Sequence, residues 1–241
     1  MLLSFYQYLK ESTQKDDKLN LVLSIIRELK SFSGDSYKTI GEYFINGQDN
    51  FTILVEVRKP NFCKISDDSH FKDLPWEQLN YDSNGYVADA NTYIKKDKVV
   101  IKLNIIVNPE YEPKCYSKLK ARLIDLITHE SNHVNQTGKN RNPFNDNVSE
   151  PNVRERANKD YQYFLLQDEI ESMVKGMYAS SNYQKIPLDN VFDEYLTPFV
   201  KWKYITQDEM DKIIQVWIKY ALEEYPTANF SNKYLKYIET L

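Results

Sequence analysis

The sequence predicts an α+β protein in which a small mixed or antiparallel sheet packs on one helix carrying His129-Glu130-Ser131-Asn132-His133, with further helices at both ends. Three observations carry this. Runs rich in Ile, Val, Phe and Tyr with period-two alternation cluster between Thr39 and Val107, separated by turn residues. Apolar residues recur at helical spacing before Ser33 and again from Leu119 onward. Within 119–136, Leu119, Leu123, Leu126, Ile127 and Val134 give the helix a buried side, with both histidines at its edge. The expected division is a helical segment over 1–36, a core over 37–180 and a helical extension packed on that core over 181–241.

In chain order, Asp16 and Asp17 precede Leu19, Val22, Leu23, Ile26 and Leu29, a helix ending near Lys30 and broken at Ser33-Gly34-Asp35-Ser36. From Thr39 to Lys59 a β-hairpin turns at Asn46 to Asn50, and Phe51, Ile53, Val55 and Val57 give its second strand one buried face. Residues 61–84 read as loop with short helical pieces, and His70 within it reads as a solvated loop histidine rather than a third metal ligand. Two more strands, 86–94 and 98–107, lead into the motif helix. The second is either an ordinary core strand or one with an open edge to which an extended peptide adds by main-chain hydrogen bonds. Thr137 to about Asn158 is a polar loop, either a lid or plain surface. Helices follow over 161–178, 187–200 and 206–223, the last with Thr206 and Glu209 at capping-box spacing, and a short one over 232–241.

Composition narrows the function classes. A hydrophobic fraction of 41% with 19 tyrosines describes an ordered globular chain of 241 residues. A net charge of -4 without a dense Lys/Arg tract argues against nucleic acid as a partner. No stretch approaches the roughly 20 apolar residues of a membrane span, and Gln7 and Lys10 interrupt the opening before a signal-peptide core forms, so a membrane partner is not expected. The expected compartment is the cytoplasm, or a virion interior. Cys63 and Cys115 form no C-x-x-C and are expected as thiols rather than as a disulfide.

The motif carries the chemistry. Residues four apart on a helix lie one turn above each other, so His129 and His133 can aim at a single atom. Neutral imidazole suits Zn2+, and Glu130, on the same arc, can reach an activated water without ligating the ion. A catalytic zinc takes three protein ligands and keeps one position open. Lys139 stands where the long metzincin motif would have its last histidine, so a carboxylate becomes the candidate. Glu169 falls inside the apolar stripe of Leu165, Leu166, Ile170, Met173, Val174 and Met177. Glu171 is rotated from it by about 200° and suits an exposed pair with Lys175. An inward carboxylate is costly without a cation. Zinc is one answer for Glu169; the other is a side chain that snorkels to solvent or meets an arginine such as Arg154 or Arg156.

His129-Glu130-x-x-His133 followed by Glu169-Ile170-Glu171-Ser172 on a later helix resembles the gluzincin group of zinc metallopeptidases, similar to small phage and bacterial forms. The resemblance covers about 98–178. It implies a zincin-like core, Zn2+ held by His129, His133 and Glu169, Glu130 as general base, and a peptide or protein as substrate. Met173 departs from the group, where an acid or amide orients the first histidine. Losing such a partner weakens metal binding by about 10 to 100-fold unless another group replaces it, and Asp125, one turn before His129, is a candidate. A hydroxyl for the oxyanion is expected from Tyr178 or a tyrosine near Tyr161. The opening Ser4 to Glu11 resembles N-terminal helices of tailed-phage proteins. The alternative function is a catalytically weak or inactive structural or interaction protein of this fold, virion-associated if phage-encoded.

Overall fold

The computed structural model describes residues 2–31, 38–45, 48–58, 85–95, 98–107, 115–136, 161–201 and 203–234. His70, Cys63, Arg154 and Arg156, the loops at 61–84 and 137–158, and the expected helix beyond residue 234 lie outside them. Internal packing divides the chain into two compact units, 1–127 and 128–241.

The first unit opens with α1, Leu2–Ser31. Leu21, Val22, Ile25, Ile26 and Leu29 form its buried stripe at the spacing that the heptad-like pattern dictates. Then come β1 (Lys38–Ile45), β2 (Gln48–Arg58), β3 (Tyr86–Lys95) and β4 (Lys98–Val107). They form one mixed sheet in the order β1-β2-β4-β3. β1 and β2 pair antiparallel up to Ile45 opposite Gln48, so the hairpin is tighter than the turn expected over Asn46 to Asn50. β3 and β4 pair antiparallel up to Lys95 opposite Lys98. The hairpins join where β2 runs parallel to β4, from Phe51 opposite Val99 to Arg58 opposite Ile106.

β4 is therefore an internal strand. Ile101, Leu103, Ile105 and Val107 are buried on one face and Val100 and Ile106 on the other, which excludes the open edge considered for it. The sheet's outer strands are β1 and β3. On β2 and β4, Glu56 and Lys102 form an ion pair at 2.9 Å.

The motif helix, α2, spans Tyr116–Asn135, and the boundary between the units falls inside it. In the second unit a 3-10 turn (Tyr161–Leu165) leads to α3 (Gln167–Gln184), α4 (Leu188–Lys201) and α5 (Gln207–Glu224). These three helices pack on one another around Trp217, Phe192, Met173, Val174 and Ile214. The Trp217 indole N–H is satisfied by donating to the Phe164 carbonyl at 2.9 Å. The capping box expected for α5 is formed: the Glu209 amide donates to Thr206 Oγ1 and the Thr206 amide to Glu209 Oε2. Among the described residues no helix is long and apolar enough to cross a membrane.

Candidate metal centre

Toward its C-terminal end α2 buries polar side chains in succession: Thr128, Glu130, Ser131, Asn132 and His133, followed by Gln136 just past its last turn. Burying that many polar groups is unfavourable unless each finds a partner, so the run marks a place where interactions other than apolar packing decide. On α3, Glu169 and Ser172 are buried beside the apolar residues of the same helix. The side chains of these two helical stretches meet.

His129 Nε2 and His133 Nε2 lie 2.9 Å apart, their rings edge-on at 74°. Glu169 Oε2 lies 3.4 Å from His133 Nε2 and 3.6 Å from His129 Nε2. Glu169 is only 1% exposed. The three residues form a group that could hold a metal ion. Two imidazole nitrogens and a carboxylate oxygen are a donor set used by catalytic zinc, and a four-coordinate ion with bonds of about 2.1 Å separates its ligand atoms by about 3.4 Å. The two edges to Glu169, 3.4 and 3.6 Å, match that spacing, and the edge between the imidazoles, 2.9 Å, is shorter.

Glu130 lies outside the triangle. Its Oε1 is 4.0 Å from His129 Nε2, and the side chain is largely buried. Its charge is felt within the cluster. Burial pushes the His133 imidazole down, but Glu169, by hydrogen bond and by charge, together with the Glu130 charge and Gln136, carries its pKa above the ordinary histidine value.

Behind His133 sits a hydrogen-bond network that the sequence reading did not identify. His133 Nδ1 lies 2.9 Å from Gln136 Oε1 and 3.3 Å from Ser172 Oγ. Gln136 Nε2 donates to the Asp168 carbonyl at 2.7 Å and to Ser172 Oγ at 2.9 Å, with a longer approach to Glu171 Oε2 at 3.4 Å. Asn132 Nδ2 donates to Ser172 Oγ at 3.1 Å, and Lys175 Nζ donates to Asn132 Oδ1 at 2.8 Å. Lys175 thus serves Asn132. The sequence shows only that Asn132 and Gln136 are four residues apart, one helical turn; it is their burial that demands partners.

Two expectations are corrected. The Asp125 carboxylate, proposed to orient His129, is bound by Arg122. Burial raises its pKa while Arg122 opposes the rise. The Tyr178 hydroxyl is directed elsewhere, because nine residues along α3 turn it about 180° away from Glu169 and about 14 Å further along the axis. It stacks on Tyr225, with ring centres 4.2 Å apart, and its hydroxyl lies 3.4 Å from Thr227 Oγ1. Tyr161 packs against the helical core. Met173, at the position where the resemblance implies a polar residue, is part of that core.

Scans against protein-family models, curated proteins and solved structures each returned no match.

Proposed function

We propose that this protein is a zinc-dependent metallopeptidase of the gluzincin kind, with a zincin-like core. The reading is supported above all by the convergence of His129 Nε2, His133 Nε2 and Glu169 Oε2 within 3.6 Å of one another, beside a second buried carboxylate on Glu130. The two imidazoles and Glu169 would hold the ion. Zinc bound there supplies Lewis acidity, bringing the pKa of water towards ~7 and polarising a carbonyl oxygen. Glu130 accepts a proton from the attacking water as its oxygen bonds to the peptide carbonyl carbon, and then delivers that proton to the departing amine nitrogen as the C–N bond breaks. The low exposure of Glu130 and Glu169 keeps competing water away from both carboxylates. The substrate class is a peptide or protein.

Elemental analysis combined with cleavage of a mixed peptide library tests this reading. Glu130→Gln should keep stoichiometric zinc and lose about 100 to 10,000-fold in rate, the usual contribution of a positioned general base. Undiminished cleavage in that variant would remove Glu130 from the reaction. The second reading, a catalytically weak or inactive protein of this fold acting as a structural or interaction module, is favoured by Met173 lying in the apolar core. Stoichiometric zinc without turnover, together with a stable partner in pulldown, distinguishes it.

A further inference from the structure

We infer that Gln136 is the positioning residue of the metal centre: it retains the proton on Nδ1 of His133 and so presents Nε2, with its electron pair, to the ion. The inference rests on the metal-centre reading and assigns a part to a residue that the H-E-x-x-H pattern does not contain.

Gln136 Oε1 lies 2.9 Å from His133 Nδ1, and which end of the amide faces the ring is fixed by its other contacts. Its nitrogen faces the Asp168 carbonyl at 2.7 Å and Ser172 Oγ at 2.9 Å. A carbonyl oxygen has no proton to give, so the atom opposite it must be the amide nitrogen. The oxygen of Gln136 is then left toward the imidazole, where it can only accept. His133 Nδ1 must therefore carry hydrogen. Ser172 is oriented in the same way, because Lys175 Nζ fixes Asn132 Oδ1 outward at 2.8 Å and turns Asn132 Nδ2 toward Ser172 Oγ. Two runs of donors converge on Ser172 Oγ: Lys175 to Asn132 to Ser172 from one side, and His133 Nδ1–H to Gln136 to Ser172 from the other.

With that proton retained, Nε2 is the nitrogen that gives up its hydrogen when the ring becomes neutral. This is the nitrogen 2.9 Å from His129 Nε2 and 3.4 Å from Glu169 Oε2. A histidine ligand generally binds more tightly when its other nitrogen donates to a fixed acceptor, which sets both tautomer and ring orientation. Here the acceptor is an amide from the same helix end.

The test is a nitrogen–proton correlation spectrum of the metal-free chain, recorded above the imidazole titration range, together with Zn2+ affinity for wild type and Gln136→Met. Neutral His133 is expected as the Nδ1–H tautomer. Gln136→Met should shift it toward Nε2–H, which free imidazole side chains prefer in water, and weaken Zn2+ binding by about 10 to 100-fold. A His133 that is already Nε2–H in the wild type overturns the inference. So does a Gln136→Met protein that is less stable but unchanged in tautomer and affinity, which is what a purely structural tie between helices produces. Wild-type protein that takes up no Zn2+ overturns the metal-centre reading instead, and the tautomer, measured without metal, still decides the part played by Gln136.

Discussion

Glu169 Oε2 stands 3.4 Å from His133 Nε2, although the two residues are carried by different helices and Glu169 is almost fully buried. A carboxylate in that position is either neutralised by a proton on the imidazole or satisfied by a cation. The two states make opposite demands on pH and on metal.

Glu169→Gln removes the anionic ligand while keeping the side chain's size. Zn2+ affinity should fall by more than the roughly 100-fold associated with outer contacts, and His133→Ala should do the same. Isothermal titration of the metal-free chains measures it. Affinity within a factor of two or three of wild type would exclude Glu169 as a ligand.

The metal-free protein should be most stable on the acid side of neutrality. Burial lowers the His133 pKa, but Glu169, Glu130 and Gln136 outweigh it and leave the folded value raised. A raised folded value contributes stability that is fully present below the unfolded histidine value of about 6.5 and is lost as pH rises through the folded value. The urea midpoint should therefore drop across that window, and Glu169→Gln should flatten the drop. Zn2+ affinity should run the other way, rising with pH, because the ion must displace the Nε2 proton.

Asp189, buried at the start of α4, accepts from the Ser231 amide at 2.8 Å and from the Ser231 hydroxyl. Asp189→Ala leaves that amide without its acceptor and should cost about 1 to 3 kcal/mol in urea unfolding. An unchanged midpoint would mean that solvent replaces the contact fully.

Lys185 ends α3 with φ of 58°, in the left-handed region, where a side chain with Cβ is disfavoured. Lys185→Gly relieves this and should stabilise the chain by about 1 kcal/mol. A thermal melt that moves downward would show that glycine's extra freedom in the unfolded chain outweighs the relief.

The sequence made legible what local spacing controls. The histidines converge because four residues make roughly one helical turn, and Glu169 points inward because its neighbours in the apolar stripe do. The capping box of α5 was equally local, needing only Thr206 and Glu209. What escaped depended on partners distant in the chain. Tyr178 was a plausible donor by residue type, but its place on the far side of α3 assigns it to Tyr225 and Thr227. Asp125 was suitably spaced from His129, yet Arg122 holds it. Gln136 reads as an ordinary helix-end residue until Asp168 and Ser172 arrive from α3 to orient it. Strand order escaped as well, because alternation in β4 reports burial and not which strands lie on either side.

Because β2 and β4 run side by side in the same direction, no tight turn can join them. Each hairpin closes over very few residues, whereas bringing the pairs together encloses everything between Arg58 and Tyr86. Loop-closure entropy is concentrated at that one junction. The long closure therefore belongs to the pairing of β2 with β4, where Ile53 and Val55 lie opposite Ile101 and Leu103.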